Sequence, residues 1–279
     1  SCTQKDEKAK YIFLFIGDGM GNSHVSVTES YLSWKEGKLG GEQLRMTTFP
    51  VYGTATSHSA DKRVTDSSAA GTAIACGEKT NNSYLGVDPE GNPVESMSYV
   101  LKEDGYKIGI LSSVPITHAT PAAFYASTPD REDGYGIMKQ IPDSGFDFFG
   151  GSGFSSPQDK KNPSAPNLYD LAEQKGYTLA GGYADAKTKI GSEKLLVVPE
   201  ERLQDRSRHA GALPYAIDRG DKDLKLSQLV ELAIAQLSTY DRFFMMAEGG
   251  KIDYASHAND GATVLHEVTD FDQAIQLKH

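Results

Sequence analysis

Cysteine is nearly absent from this chain. The 279 residues hold two, Cys2 and Cys76, too few for the disulfide framework of a small secreted scaffold. No apolar run approaches the ~20 residues that a membrane-spanning helix needs. Positive charge is scarce too: 28 Lys and Arg stand against 38 Asp and Glu, for a formal net charge of -10. With no basic run, that balance argues against nucleic acid as the main partner. It also means that the surface as a whole does not attract anions. Any phosphate site must be locally positive, and bound metal ions are the usual means. Internal repeats, low-complexity segments and an interdomain linker are all missing. What is present, 38% hydrophobic and 24% charged residues, suits one large α/β domain with a full core.

Residues 1–10 read as a disordered polar tether, and 11–279 as a single domain. Residues 11–16 form a continuous apolar run, the mark of a strand buried on both faces. The runs at 107–112, 194–198 and 242–247 predict further strands, as do 51–56 and 177–180. Apolar residues at helical spacing predict helices near 23–35, 97–103, 167–175, 226–237 and 261–277. Residues 181–225, with glycines and charges, read as an irregular insertion. Strands alternating with helices imply a mostly parallel sheet sandwiched between helices. The functional site of such a sheet lies beyond the carboxyl ends of its strands.

Asp18, Ser67, His118 with Thr120, and Glu248 fall at that edge, each after a predicted strand. The stretch Asp66-Ser67-Ser68-Ala69-Ala70-Gly71 opens a helix of small residues that Gly77 stops. A hydroxyl at its first turn can attack an anionic phosphorus while free backbone N–H groups receive the oxygens; the same residues also serve as ordinary caps. Asp18, between two glycines after the first strand, is either a turn residue or a carboxylate held rigidly enough to bridge two cations. Glu248 ends the 242–247 strand, and a carboxylate buried there must be paired or metal-bound. Asp253 and His257 share a helix face at a spacing that converges on one Zn²⁺, although that spacing alone is a weak signal. In His118-Ala119-Thr120, the Thr120 hydroxyl suits Mg²⁺. Arg131 either pairs with its neighbours Asp130 and Glu132 or binds two oxygens of one phosphate.

Four segments together resemble the signature segments of bacterial alkaline phosphatases. They are Phe15-Ile16-Gly17-Asp18-Gly19-Met20-Gly21, Val64-Thr65-Asp66-Ser67-Ser68-Ala69, Thr117-His118-Ala119-Thr120-Pro121-Ala122, and Glu248-Gly249-Gly250-Lys251-Ile252-Asp253 through His257. They occur in family order and span nearly the whole chain. The resemblance implies an α/β sandwich that hydrolyses phosphate monoesters with two Zn²⁺ and one Mg²⁺. It implies Ser67 as the nucleophile, passing through a phosphoserine, and Asp18 as the bridge between Mg²⁺ and the zinc that activates Ser67. Thr120 and Glu248 complete the Mg²⁺ ligands, Asp253 and His257 bind the other zinc, and Arg131 clamps the phosphoryl oxygens.

His118 stands where some relatives carry Asp, which leaves Mg²⁺ or Zn²⁺ open at the third site. Tyr254 replaces a Lys of the enteric type. A Thr-x-Asp-His-Glu segment and a final His, which would complete the zinc sites, are absent. The resemblance therefore implies a chain incomplete at its C-terminus, inactive alone, and a homodimer at full length. The alternatives are a phosphodiesterase of the same superfamily or a non-catalytic metal- or phosphate-binding module. A sulfatase is excluded, because no C/S-x-P-x-R segment surrounds Ser67. Cys2 with the polar run 3–8 resembles the lipidated start of an exported bacterial lipoprotein, which implies a lipid anchor in the periplasm or at the outer-membrane surface.

Overall fold

The computed structural model describes residues 8–276; Cys2 and His279 lie outside them. In chain order the elements are β1 (Tyr11–Gly17), α1 (Asn22–Lys35), α2 (Ser67–Cys76), α3 (Met97–Glu103), β2 (Lys107–Ser112), α4 (Ala119–Ala122), α5 (Gly134–Met138), α6 (Gln140–Ser144) and β3 (Phe148–Gly150). There follow α7 (Leu168–Gln174), β4 (Tyr177–Gly181), α8 (Gly182–Thr188), β5 (Lys194–Val198), α9 (Glu200–Gln204), α10 (Leu226–Leu237), β6 (Phe243–Gly249), α11 (Lys251–His257) and α12 (Gly261–Ile275). The six strands form one sheet in the order β1-β6-β2-β3-β5-β4. Every pairing is parallel.

Alternation along the strands divides the core into two layers. Phe244 and Met246 of β6 join Ile108 and Ile110 of β2 in the layer beneath α3, α4 and α7. Phe243, Met245 and Ala247 point the other way, into the layer built with α10 and α12. Both faces of β6 are thus covered, and all seven of its residues are buried. This explains why its sequence is a continuous apolar run rather than an alternating one.

Two expectations change. Residues 51–56 are exposed and form no strand. Their β-branched and aromatic residues favour extended backbone, but a strand exists only with a ladder partner, and none is supplied among the described residues. Residues 181–225 are not uniformly irregular either. They contain α8, α9 and β5, and β5 is hydrogen-bonded to both β3 and β4. The first half of that stretch is therefore tied into the sheet, and its longest segment without helix or strand is 205–225. The short β3, within the loop-rich stretch after β2, was not anticipated as a strand. Among the described residues no helix is long and apolar enough to cross a membrane.

Candidate active site at the carboxyl edge of the sheet

Strand register assembles the floor of the site. Glu248, near the end of β6, lies between Ile16 of β1 and Ser112 of β2, and it is fully buried. Asp18 follows β1 directly. The next turn is tight: Gly19 has φ +64°, and a Cβ placed on it would lie 2.6 Å from Asp253 Oδ1. Glycine is required there twice, for its left-handed backbone and for the room it leaves α11. On the far wall, α2 approaches α4 closely because it is made of small residues. A Cβ on Gly71 would sit 3.2 Å from Ala123 Cβ and 3.4 Å from Thr120 Cα.

At the start of α2, the Ser67 hydroxyl donates to Asp18, with both carboxylate oxygens at 3.2 Å. Asp66 caps the helix, accepting from the Ala69 N–H at 2.9 Å. Its second oxygen receives the Ser68 hydroxyl at 2.7 Å, the Ser83 N–H at 2.8 Å and an Arg131 N–H at 3.1 Å. Burial pushes the Asp66 carboxyl up, but these donors outweigh it and hold the group below the ordinary carboxylate range. Arg131 is thereby anchored beside Ser67, with Glu132 a looser partner at 3.7 Å.

The floor is less well satisfied. Ser112 donates to Glu248 Oε2, but Glu248 Oε1 is buried without a hydrogen-bond partner. His118 Nδ1 is likewise buried and unpartnered, 3.9 Å from that oxygen. Burial, then the neighbouring Glu248 and Asp253 carboxylates, pushes Asp18 up to about 6. Burial lowers His118, but Glu248 and Asp18 together raise it above its ordinary value. Ligand atoms of Asp18, His118 and Glu248 all lie within 4.8 Å of one another, and the buried Thr120 joins the same cleft. Two orphaned buried atoms amid crowded carboxylates fit a divalent cation, which needs those lone pairs and removes the repulsion.

Asp253 and His257 stand at the mouth of the cleft, His257 Nε2 lying 3.5 Å from Asp253 Oδ1. Tyr254, between them in sequence, packs edge-on against His118 with ring centres 5.6 Å apart. Seven of the eight candidate residues line one cleft of ≈ 660 Å³, and Glu248 lies beneath it against His118. Sequence reading missed three supporting residues. Asp66 is more than a cap, because it also orients Arg131. Ser112, the last residue of β2, holds Glu248. His24, which carries no motif of its own, accepts from the Gly21 N–H through Nδ1 at 3.0 Å. Its Nε2 must then carry the proton that reaches Ser256 Oγ at 3.1 Å, tying α1 to α11. The only signal for Asp66 was its place before Ser67.

A family model for alkaline phosphatase matches residues 9–147 and 209–278. Alkaline phosphatase 4 of Bacillus subtilis is 31% identical over 290 residues, which cover 97% of this chain and 58% of that protein. The chain thus spans little more than half the length of this relative. Among solved structures, alkaline phosphatase from the Antarctic bacterium TAB5 superposes with a TM-score of 0.81 at 29% identity, over 96% of this chain and 74% of the other. A histidine-to-glutamate variant of the TAB5 enzyme, with Mg bound in its M3 site, gives 0.79 at 28% identity, over 96% and 73%. With its sequence matched on both sides of the β3–α9 region and its sheet superposing on solved relatives, the chain belongs to the alkaline phosphatase family.

Proposed function

We propose that this chain carries the nucleophile half of a metal-dependent phosphomonoesterase centre. The observation that carries the reading is Ser67 Oγ at the head of α2, bonded to Asp18 beside the orphaned His118 and Glu248 atoms. Ser67 Oγ attacks the phosphorus of a phosphate monoester. The Oγ–P bond forms, the bond to the ester oxygen breaks, and the alcohol leaves with a proton. The Ser67 proton, held toward the Asp18 carboxylate in the resting hydrogen bond, passes by way of solvent to the departing alkoxide, so that the one proton released is the one the alcohol carries away. Water then cleaves the phosphoserine, restoring Ser67 and releasing inorganic phosphate. Arg131, fixed by Asp66, presents its fork to two phosphoryl oxygens, and first-turn N–H groups of α2 add partial positive charge.

The residues fit a cation held by Asp18, Thr120, Glu248 and His118, and part of a second site in Asp253 and His257. We infer the complement of one Mg²⁺ and two Zn²⁺, with the third site open to either metal. Bound there, the cations supply positive charge to the attacking, leaving and phosphoryl oxygens. The Thr-x-Asp-His-Glu segment is absent from these residues, so we propose that this chain alone turns over slowly or not at all. The lipid anchor at Cys2, export and a full-length homodimer stand as proposals of the same kind; detergent-phase partition of the lipid-labelled native protein tests the anchor.

The direct test is to quench the chain in acid after exposure to an aryl phosphate with Zn²⁺ and Mg²⁺. Mass spectrometry should find one phosphoryl group on the Ser67 peptide and none in Ser67→Ala. A phosphoryl group retained by that variant overturns the assignment.

A further inference from the structure

The helix that carries Asp253 and His257 is only seven residues long. A helix so short does not hold itself together in water, so tertiary contacts set where its side chains point. The β6–α11 junction is tight, since a Cβ on Gly250 would lie 2.8 Å from Val114 Cγ2. Ile252 and Ala255 bury apolar surface beneath the helix, but greasy contact alone permits small rotations. Two directional ties hold it: the His24–Ser256 hydrogen bond near its C-terminal end and Lys251 at its start. Its side chain is 1% exposed, unusual for a lysine, which is rarely buried unless paired. The ammonium donates to the Pro214 carbonyl at 2.7 Å and to Glu267 of α12 at 3.1 Å. Glu267 is itself fixed by the Ala216 N–H at 2.6 Å. Two residues on, Asp253 faces the cleft from the opposite side of α11.

We propose that Lys251 is a positioning residue. Its buried ammonium locks α11 against α12 and the 214–216 loop, and so fixes Asp253 and His257 in the geometry that binds a cation. This rests on the reading of Asp253 and His257 as cation ligands, and it adds the residue on which their geometry depends. Lys251 touches neither substrate nor cation.

Calorimetric titration of the full chain with Zn²⁺ alone, and with Mg²⁺ alone, separates the two ideas. Asp253→Asn should remove one Zn²⁺ event; if it does not, the ligand reading fails and the proposal falls with it. Given that loss, Lys251→Met should weaken the same event roughly 10-fold, as loss of the groups that orient metal ligands does, and leave Mg²⁺ binding at the Asp18–His118–Glu248 cluster unchanged. Lys251→Arg, which keeps the charge and both acceptors, should restore most of the affinity. Lys251→Met leaves Glu267 unpaired and lowers the melting temperature. The double variant Lys251→Met/Glu267→Gln removes that charge while keeping an acceptor for Ala216, so it should recover stability without recovering Zn²⁺ affinity. Wild-type Zn²⁺ affinity in the double variant would show that the pair only stabilises the fold, and would overturn the inference.

Discussion

Two groups of buried or half-buried acids lie within a few turns of each other and are treated in opposite ways. On α12, every carboxylate is answered by the chain itself. Glu267 meets Lys251 and the Ala216 N–H, and Asp270 takes Arg219 through two bonds of 3.0 and 2.6 Å. Asp272 accepts from the Arg45 and Met46 N–H groups at 2.8 and 2.9 Å. In the cleft, among the described residues, Asp18 receives only a serine hydroxyl and Glu248 keeps an orphaned oxygen. The chemistry of the side chains is the same, and the supply of donors differs. A carboxylate whose donors are built in is part of the scaffold, and one whose donors are withheld is kept for something that arrives from solution.

The contrast breaks most visibly at Arg219. Arg219→Met strands Asp270 and should cost about 3 kcal/mol or more in urea unfolding, whereas Arg219→Met/Asp270→Leu should return most of it. A cost near zero for the single variant would mean that the α12 acids do not depend on their partners.

In the cleft the prediction is reversed. Metal-free Glu248→Gln should be no less stable than wild type, because it relieves like-charge repulsion on Asp18. Its effect should emerge on adding Mg²⁺ or Zn²⁺. A cation at a hundred times its dissociation constant stabilises its site by about 2.7 kcal/mol, and the variant should lose most of that gain in a thermal melt.

A pH series sharpens the same point. Asp18 titrates at about 6 in the folded chain against 3.8 ordinarily, so the proton binds the folded state more tightly. Relative to Asp18→Asn, the metal-free wild type should be destabilised above pH 6, and the deficit should shrink as pH falls toward 3.8. A saturating divalent cation should erase this dependence at neutral pH. A deficit that does not change with pH would mean that burial and the neighbouring carboxylates do not raise Asp18.

The smallest effect concerns Asp66, whose acid is held below its ordinary range. Its stabilisation is complete above the unfolded carboxylate value and is lost as pH falls through the lower folded one. Asp66→Ala should cost about 1 kcal/mol at neutral pH by thermal melt. It should also loosen Arg131, seen as weaker inorganic phosphate binding.

The elements that hold the site were legible because their signals are local. Buried parallel strands are unbroken apolar runs, and Asp18 and Glu248 stand where two such runs stop. Ser67 heads a helix whose small residues announce close packing. What escaped was whatever depends on a distant partner. Residues 51–56 have strand chemistry and no strand. The run at 194–198 reads as a strand, but its place between β3 and β4 is written nowhere in its own residues. Arg131 finds Asp66 across the fold rather than its neighbour Asp130. Lys251 opens a short helix, and nothing in its own segment points to Glu267, which it meets only in the fold.

The pairing of β1 with β6 has a consequence in time. Tyr11 is bonded in register with Phe243, so β1 must wait until β6 has been synthesised before it gains this neighbour. Contacts of such long separation slow folding. They also leave an apolar strand exposed while a chain grows from the ribosome. Asp18 and Glu248 meet only when that ladder closes. The cleft therefore exists only once β6 is in place, and a cation available in the folding compartment would act on that closing step rather than on any earlier one.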